Sequence, residues 1–167
     1  MSPILDELTL DFVSHSPTQT RRIGARLGTL VGPGDVLCLV GDLGTGKTCF
    51  VQGLGQGLAI EGPITSPTFT LINEYRDGRD GLTFYHIDLY RVSGVQEALD
   101  FGLEEYLYGE GVCAIEWAER VESALPRERL WITLRYLDVN KRGILIRADG
   151  PRYELLLRDL KRLAFGV

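Results

Sequence analysis

The sequence predicts an α/β fold, with a mixed β-sheet flanked by helices in a single domain that spans residues 1–167. Apolar runs of strand length alternate with segments whose apolar residues recur at helical spacing. Two strand-like runs, 71–75 and 82–90, are joined by a polar turn with two glycines, which predicts an antiparallel hairpin. The length of 167 residues and the hydrophobic content of 44% suffice for one substantial core.

The elements in the first third of the chain are predicted to be strand, helix, strand and helix. Residues 8–13 alternate between apolar and polar side chains and predict a strand, and Ser16 is placed to start a helix. The apolar face of that helix comprises Ile23, Leu27 and Leu30. The apolar run 35–40 predicts a buried strand, and a second helix is expected to follow residue 48. We expect the second helix to break at its glycines, Gly53, Gly55 and Gly57.

The elements after residue 90 begin with a helical stretch at 95–100, which residues 103–107 continue or restart. The short apolar run 111–115 predicts a buried strand, and residues 130–137 and 143–148 predict two strands around a polar turn. A closing helix is indicated by apolar residues that share one face, namely Tyr153, Leu156, Leu157, Leu160, Leu163 and Ala164.

The strongest local signal is the phosphate loop, residues 41–48, with the sequence Gly-Asp-Leu-Gly-Thr-Gly-Lys-Thr. It lies between a predicted strand and a predicted helix, the context in which G-x-x-x-x-G-K-[ST] binds phosphate. Gly44 and Gly46 can point successive N–H groups into one concavity, Lys47 can hold phosphate, and Thr48 offers a hydroxyl to Mg²⁺. The sequence therefore predicts a P-loop NTPase. The expected nucleotide contacts are Gly41, Asp42, Leu43, Gly44, Thr45, Gly46, Lys47, Thr48 and Cys49.

A switch residue is expected downstream of the phosphate loop, where a hydroxyl senses Mg²⁺ and the γ-phosphate in nucleotide switches. Thr68 is the leading candidate, followed by Thr65 and Ser66. Ser-Pro-Thr taken alone is typical of a turn, and its position after the phosphate loop favours the switch.

Two carboxylates are candidates for metal and water chemistry. Asp88 shares one face of its strand with His86 and Tyr90, which indicates either a site, where Asp88 holds Mg²⁺ or orients water, or an exposed edge. Glu116 ends an apolar strand, where P-loop folds place an acid near Mg²⁺, so it is a metal ligand, a water activator or a surface residue. The candidate catalytic residues are Lys47, Thr68, Asp88 and Glu116, and the candidate metal ligands are Thr48, Asp88 and Glu116.

The charge distribution is uneven along the chain. The net charge is −5, which argues against non-specific nucleic-acid binding by the whole surface. Residues 1–120 hold 8 Lys and Arg against 17 Asp and Glu, whereas residues 121–167 hold 10 against 6. The basic C-terminal segment is therefore either a solvated face or a docking surface for an acidic protein or RNA.

The cysteines and the N-terminal residues indicate a cytoplasmic protein. The three cysteines have no C-x-x-C spacing, which favours reduced thiols, and Cys49 is either a small buried filler or a thiol whose pKa falls at a helix start. Residues 1–10 lack the features of a secretory signal, and no apolar run is long enough for a membrane span.

GTP specificity is unsupported, because residues 140–143 have glycine where a base-reading motif has aspartate.

Four motifs together resemble the TsaE (YjeE) family of bacterial proteins. They are residues 41–48, then Ser-Pro-Thr-Phe at 66–69, His-Ile-Asp-Leu-Tyr-Arg at 86–91 and Glu-Trp-Ala-Glu at 116–119. The resemblance covers residues 8–137, and its specificity comes from the order and spacing of the motifs. Thr45 stands where the family more often has alanine.

The resemblance implies an Mg²⁺-dependent ATPase, with ATP and ADP as ligands, that is required for N6-threonylcarbamoyladenosine (t6A) at position 37 of ANN-decoding tRNAs. The partners it implies are TsaB and TsaD, with ATP hydrolysis supporting repeated turnover and TsaD performing the transfer. It assigns phosphate binding to Lys47, Mg²⁺ to Thr48, the switch to Thr68, and metal and water chemistry to Asp88 and Glu116. Trp117 is expected beside them.

Two other functions remain open at the level of sequence, a nucleotide-sensing module and a small-molecule kinase. An acidic N-terminal part makes independent tRNA capture unfavourable, so tRNA contact is expected through the partners. We hypothesise that basic residues of the C-terminal segment contribute to docking, namely Arg127, Arg129, Arg135, Lys141, Arg142 and Arg147.

Overall fold

A computed structural model describes residues 4–67 and 71–167, and the strands within these ranges form one eight-stranded sheet. The strands are β1 (Ile4–Leu5), β2 (Thr9–Ser14), β3 (Val36–Val40), β4 (Ile72–Tyr75), β5 (Phe84–Asp88), β6 (Val112–Glu116), β7 (Arg129–Tyr136) and β8 (Arg142–Asp149). The helices are α1 (Pro17–Gly28), α2 (Lys47–Gly57), α3 (Val95–Asp100), α4 (Leu103–Leu107) and α5 (Pro151–Phe165), with 3-10 helices at Arg79–Gly81 and Ala118–Ala124. Thr68, the predicted switch residue, lies outside the described residues.

The sheet is mixed, as predicted, and its strand order is β1-β2-β8-β7-β3-β6-β5-β4. β7, β3, β6 and β5 run parallel, whereas β4 at one edge and β8, β2 and β1 at the other pair antiparallel with their neighbours. The carboxyl ends of parallel strands lie at the same edge of a sheet, so the loops after β3, β5 and β6 meet there. This order brings together residues that are far apart in the chain.

The predicted hairpin is confirmed, since Ile72 in β4 lies opposite Ile87 in β5. β5 is not an edge strand, however, because β6 pairs with its other side. The alternative that His86 lies on an exposed edge face is therefore wrong, and its side chain is fully buried.

The two faces of the central strand β3 pack into two different apolar cores. Leu37 and Leu39 pack on the face covered by α1, α2 and α5, whereas Val36 and Cys38 pack on the face covered by α3 and α4. Burial raises the pKa of the Cys38 thiol to about 12. Cys38 is a free thiol held in its neutral form, which agrees with the prediction of reduced cysteines.

Helix α1 begins where the sequence predicts. The Ser16 hydroxyl accepts a hydrogen bond from the Gln19 N–H at 3.1 Å, which caps the helix. Ile23 and Leu27 are buried on its inner face. Leu30 lies beyond the last helical residue, so it belongs to the loop that follows and not to the helical face.

The expectation that α2 breaks at its glycines is wrong, because the helix continues through Gly53 and Gly55 to Gly57. These glycines allow α1 to approach closely: a Cβ on Gly53 would lie 2.1 Å from the Arg21 carbonyl oxygen. Gly24 of α1 is equally tight, since its Cβ would lie 2.3 Å from the Phe50 carbonyl oxygen. Backbone contact between the two helices outweighs the low helix propensity of glycine.

Two further details concern α4, where one of the two open alternatives is confirmed, and α5, where one residue differs from the prediction. Residues 103–107 restart as a separate helix, because Gly102 has φ of 89° and interrupts the hydrogen-bonded turn. Leu163, placed by its spacing on the apolar face of α5, is exposed, whereas Tyr153 and Leu157 are buried as predicted.

Across residues 4–67 and 71–167, no helix is both long and apolar enough to cross a membrane.

Candidate phosphate and metal site

The phosphate loop connects the carboxyl end of β3 to the start of α2. Gly44 and Gly46 have φ of 79° and 97°, as the sequence predicts for a backbone that must turn its N–H groups inward. Gly41, with φ of 153°, packs so closely that a Cβ would lie 2.5 Å from the Leu134 carbonyl oxygen of β7. The loop is therefore shaped by its own glycines and braced by the neighbouring strand.

Lys47 is the first residue of α2 and is buried beside the loop. Its ammonium group donates hydrogen bonds to the carbonyl oxygens of Gly41 and, at 3.1 Å, Asp42. The Nζ atom also lies 4.2 Å from the centre of the Trp117 ring. Burial is the main cause that lowers the pKa of Lys47, and the nearby Glu116 carboxylate opposes it. An anion at the loop would favour the charged form of this lysine.

Glu116 and Asp88 lie side by side at the carboxyl ends of two parallel strands. The two residues are register partners across β6 and β5. The Thr48 hydroxyl lies 3.4 Å from each carboxylate oxygen of Glu116 and 2.9 Å from the Ser66 hydroxyl. The surface alternative for Glu116 is wrong, because only 3% of the residue is exposed.

Asp88 occupies a more accessible position beside Glu116. Its Oδ1 atom accepts a hydrogen bond from the Tyr90 N–H at 2.9 Å. Burial raises the pKa of the Asp88 carboxyl, the Tyr90 hydrogen bond lowers it, and the Glu116 charge raises it further. Two neighbouring carboxylates with no cation between them repel each other, so this pair favours a bound cation.

His86 also contacts the site, although the sequence predicts only that it shares a strand face with Asp88 and does not identify it as a site residue. Its Nε2 atom lies 2.5 Å from Oε2 of Glu116, and its side chain is completely buried. The alternation of side chains along the strand predicts that His86 and Asp88 share one face. It does not predict that the histidine reaches Glu116 on the adjacent strand.

Lys47 and the two carboxylates line one cavity of about 360 Å³ at the carboxyl edge of the sheet, whereas His86 does not. Its walls are Leu43, Gly44, Thr45, Gly46, Lys47, Thr48, Cys49, Ser66, Asp88, Tyr90, Glu116 and Trp117. A larger cavity of about 620 Å³ lies against α5, but its walls include no residue of the phosphate loop. The loop, the lysine and the carboxylates mark the smaller cavity as the candidate site.

The donor atoms at this site suit Mg²⁺. Thr48, Ser66, Asp88 and Glu116 present only hydroxyl and carboxylate oxygens, the ligands that this ion prefers. Within residues 4–67 and 71–167 there is no group of three or more His, Cys, Asp or Glu that could hold a metal ion. A magnesium site built on one or two carboxylates and completed by phosphate oxygens fits this arrangement.

The remaining loop residues differ in what they offer a nucleotide. Gly41 and Asp42 hold Lys47 through their carbonyl oxygens and do not line the cavity. Thr45 is buried, and its hydroxyl donates to the Asp42 carbonyl oxygen at 2.7 Å. The Cys49 thiol donates to the Pro17 carbonyl oxygen, and burial raises its pKa, so an activated thiol is not supported.

Trp117 follows Glu116 in the left-handed backbone conformation, with φ of 60°. The centre of its ring lies 4.2 Å from Nζ of Lys47 and 5.3 Å from the guanidinium carbon of Arg120. The Tyr90 ring packs against it at 5.1 Å. The expectation that Trp117 lies beside the site is confirmed. A non-glycine residue in this conformation is uncommon and is typical of functional positions.

The basic C-terminal segment is partly neutralised by the fold. Arg129 is largely buried between Glu122 and Asp149 and stacks on Trp131, so it is a structural residue. Arg135 and Arg147 form exposed ion pairs with Asp11 and Asp149. Arg142 donates to the Gly44 carbonyl oxygen at 3.1 Å and thereby contacts the phosphate loop. Arg127 and Lys141 are exposed.

The chain is similar over most of its length to proteins of one family. The family described as "Threonylcarbamoyl adenosine biosynthesis protein TsaE" matches residues 14–144. A relative from Bacillus subtilis, named tRNA threonylcarbamoyladenosine biosynthesis protein TsaE, is 46% identical over 147 residues, which cover 88% of this chain and 90% of that protein. The protein of the same name from Treponema pallidum is 48% identical over 134 residues, or 80% and 97% of the two chains.

A solved structure agrees with this similarity in sequence. The crystal structure of YdiB from Bacillus subtilis superposes with a TM-score of 0.79 at 39% identity, and the match covers 98% of each chain. The mixed sheet and its flanking helices are therefore an architecture that occurs in an experimental structure of a related chain.

Proposed function

Because the chain belongs to the TsaE family, we propose that it binds ATP with Mg²⁺ at the phosphate loop and hydrolyses it in support of t6A formation on tRNA. The observation that carries this proposal is the convergence of Lys47, Thr48 and Glu116 on one cavity beside a glycine-shaped loop. A lysine, a hydroxyl and a carboxylate in this arrangement are the parts that phosphoryl chemistry requires. The whole chain, residues 1–167, would act as a single domain.

The residues of the site take distinct roles in this proposal. Residues 43–46 cradle phosphate with their backbone N–H groups, and the ammonium of Lys47 leaves the loop carbonyls to pair with phosphate oxygens. Thr48 holds Mg²⁺ with its hydroxyl, and Mg²⁺ would supply charge neutralisation at the transferred phosphoryl group. Asp88 and Glu116 complete the magnesium shell and orient water, with Glu116 better placed to act on water near Thr48.

The output of the reaction is proposed to be conformational. No residue pattern for an acceptor substrate stands out in the sequence, and the relatives are named for tRNA threonylcarbamoyladenosine biosynthesis. We therefore place the protein in the cytoplasm with TsaB and TsaD, where ATP hydrolysis would support repeated turnover. Contact with tRNA would come through these partners, because the first 120 residues are acidic.

The test is ATP hydrolysis by the protein alone and with TsaB and TsaD, comparing wild type with Lys47→Ala. Arg76→Ala is a control, because it removes an exposed basic side chain that lies outside both the cavity and the proposed docking segment. Stimulation by the partners that is lost in Lys47→Ala and kept in Arg76→Ala supports the proposal. Equal, fast hydrolysis without partners contradicts the partner role and favours a small-molecule kinase, which a metabolite would stimulate.

A further inference from the structure

His86 contacts the site from inside the protein core and lines none of the cavity. We propose that His86 is a positioning residue that holds the Glu116 carboxylate in the orientation needed for ATP hydrolysis. The inference rests on the function proposed above, because Glu116 needs a fixed orientation only if it acts on Mg²⁺ or water. Its first support is the contact itself, 2.5 Å between Nε2 of His86 and Oε2 of Glu116, with both side chains buried.

The His86 ring contacts Glu116 through one of its two nitrogens, Nε2. The Nδ1 atom is buried and has no hydrogen-bond partner within residues 4–67 and 71–167. A carboxylate can only accept, so Nε2 carries the proton and donates a hydrogen bond to Glu116. A polar ring that is completely buried is costly unless it makes such a bond. An apolar side chain would fill this place in the core more cheaply, which argues that the polar contact itself is required.

The strand register explains why the contact orients Glu116. His86 lies opposite Ala114 in the parallel pair of β5 and β6, and Asp88 lies opposite Glu116. His86, Asp88, Ala114 and Glu116 therefore project to the same face of the sheet, where the start of α2 presents Thr48. Both oxygens of Glu116 lie 3.4 Å from the Thr48 hydroxyl while Oε2 is held by His86. The histidine therefore fixes one carboxylate oxygen, and the carboxylate is held beside Thr48, the proposed magnesium ligand.

A residue that holds a metal-site ligand in place affects activity without contacting the substrate itself. Residues that hold a metal-site ligand in place from behind change metal affinity or activity by about 10- to 100-fold when they are removed. We therefore expect His86→Ala to lower kcat for ATP hydrolysis by about 10- to 100-fold. The KM for ATP is expected to stay within about 3-fold of the wild-type value, because residues 43–48, the proposed phosphate contacts, line the cavity and are unchanged in this variant.

Conservative variants separate positioning from packing. His86→Gln can place an amide N–H near the position of Nε2 and is expected to recover part of kcat, whereas His86→Leu fills the space without a donor and is expected to recover none. Tyr153→Phe is the matched control. It removes another buried hydrogen bond, 2.8 Å from the Val36 N–H to the Tyr153 hydroxyl, at the opposite end of β3 from the phosphate loop. It should leave kcat unchanged.

The contact has a spectroscopic signature that does not depend on activity. The chain has two histidines, and His15 is exposed, so the signals of His86 are assigned by comparison with His15→Gln. We expect a downfield Nε2–H proton for His86 that is protected from exchange and that moves upfield in Glu116→Gln, because a neutral amide is a weaker acceptor. No such proton, or one that Glu116→Gln leaves in place, overturns the inference.

The kinetic outcomes distinguish this inference from the function on which it rests. If wild type hydrolyses ATP and His86→Ala has the same kcat, or if His86→Leu is as active as His86→Gln, the positioning role is wrong and the ATPase stands. If wild type with TsaB and TsaD does not hydrolyse ATP, the proposed function fails and the inference fails with it. A loss of kcat at constant KM, with rescue by His86→Gln, supports both.

Discussion

The ammonium group of Lys47 lies 4.2 Å from the centre of the Trp117 ring while it donates hydrogen bonds to the carbonyl oxygens of Gly41 and Asp42. A cation over an indole ring is attracted to the ring face and changes its electronic environment. Movement of this lysine toward phosphate would therefore alter the environment of Trp117. The relationship connects nucleotide binding to an optical signal.

We predict that ATP or ADP changes the tryptophan fluorescence of the protein and that Trp117 is its source. The chain has two tryptophans, and Trp131 packs against Arg129 outside the cavity. Titration with nucleotide should give a saturable signal in wild type and in Trp131→Phe, and none in Trp117→Phe. A signal that persists in Trp117→Phe would contradict this assignment, because Trp131 would then be a source of the change.

Glu116→Gln is expected to separate binding from hydrolysis. The amide keeps the volume and accepts from His86, but it cannot take a proton from water or hold Mg²⁺ as strongly, so we expect kcat to fall about 100-fold or more. ATP binding, measured by calorimetry, should change by less than about 5-fold, since the phosphate contacts of the loop remain. Loss of binding in proportion to kcat would instead assign Glu116 to ground-state binding of the metal.

The raised pKa of Asp88 predicts a pH-dependent stability difference. The ordinary value is 3.8, and burial raises the pKa in the folded protein, so ionisation of Asp88 opposes folding above that value. Asp88→Asn is therefore expected to raise Tm at pH 7 in the absence of Mg²⁺. The difference should shrink as the pH falls through the raised pKa, and it should vanish below 3.8, where the Asp88 carboxyl is protonated in both the folded and the unfolded state. Melting curves from pH 4 to pH 8 give the comparison.

Addition of Mg²⁺ with ATP serves as the control for that experiment. If Asp88 contributes to a cation site, bound Mg²⁺ should stabilise wild type more than Asp88→Asn and reduce or reverse the difference in Tm. A difference that is the same at all pH values would contradict the assignment of the penalty to the Asp88 charge.

The glycines of α2 predict an unusual response to alanine. Gly53→Ala should lower the free energy of unfolding by about 2 kcal/mol, although alanine is the better helix former, because its Cβ would meet the Arg21 carbonyl oxygen at 2.1 Å. Gly55→Ala is the matched variant in the same helix. Its Cβ would meet the Ile64 side chain, which can rotate away, so a smaller loss is expected. Urea denaturation ranks the two, and equal losses would contradict the backbone-contact explanation.

The exposed basic residues of the C-terminal segment predict which charges matter for docking. Arg127 and Lys141 are exposed, whereas Arg129 is held in ion pairs. The double reversal Arg127→Glu with Lys141→Glu is expected to weaken binding to the proposed partners, TsaB and TsaD, several-fold at low salt, with little effect at high salt. The isolated protein should keep its melting temperature. Unchanged affinity for the complex and for tRNA at low salt would disprove the docking hypothesis.

The sequence by itself determined the elements whose signals are local. Residues 41–48 identify the phosphate loop because their glycines, lysine and threonine act within one turn of chain, and Ser16 identifies the start of α1 because a cap bonds three residues ahead. The alternation in 82–90 correctly grouped His86 with Asp88 because side chains of a strand alternate in any context. Thr68, as the switch, stays a prediction.

Only the tertiary structure decided the features that depend on which elements become neighbours. The sequence does not show that β6 lies between β3 and β5, and that order is what places Glu116 against both Thr48 and His86. Glycine has a low helix propensity, yet α2 continues through Gly53, because the backbone of α1 packs closely against it. Propensity and periodicity act through a few adjacent residues, whereas strand order, burial and close approach depend on the whole chain, so the contacts of the candidate site required the fold.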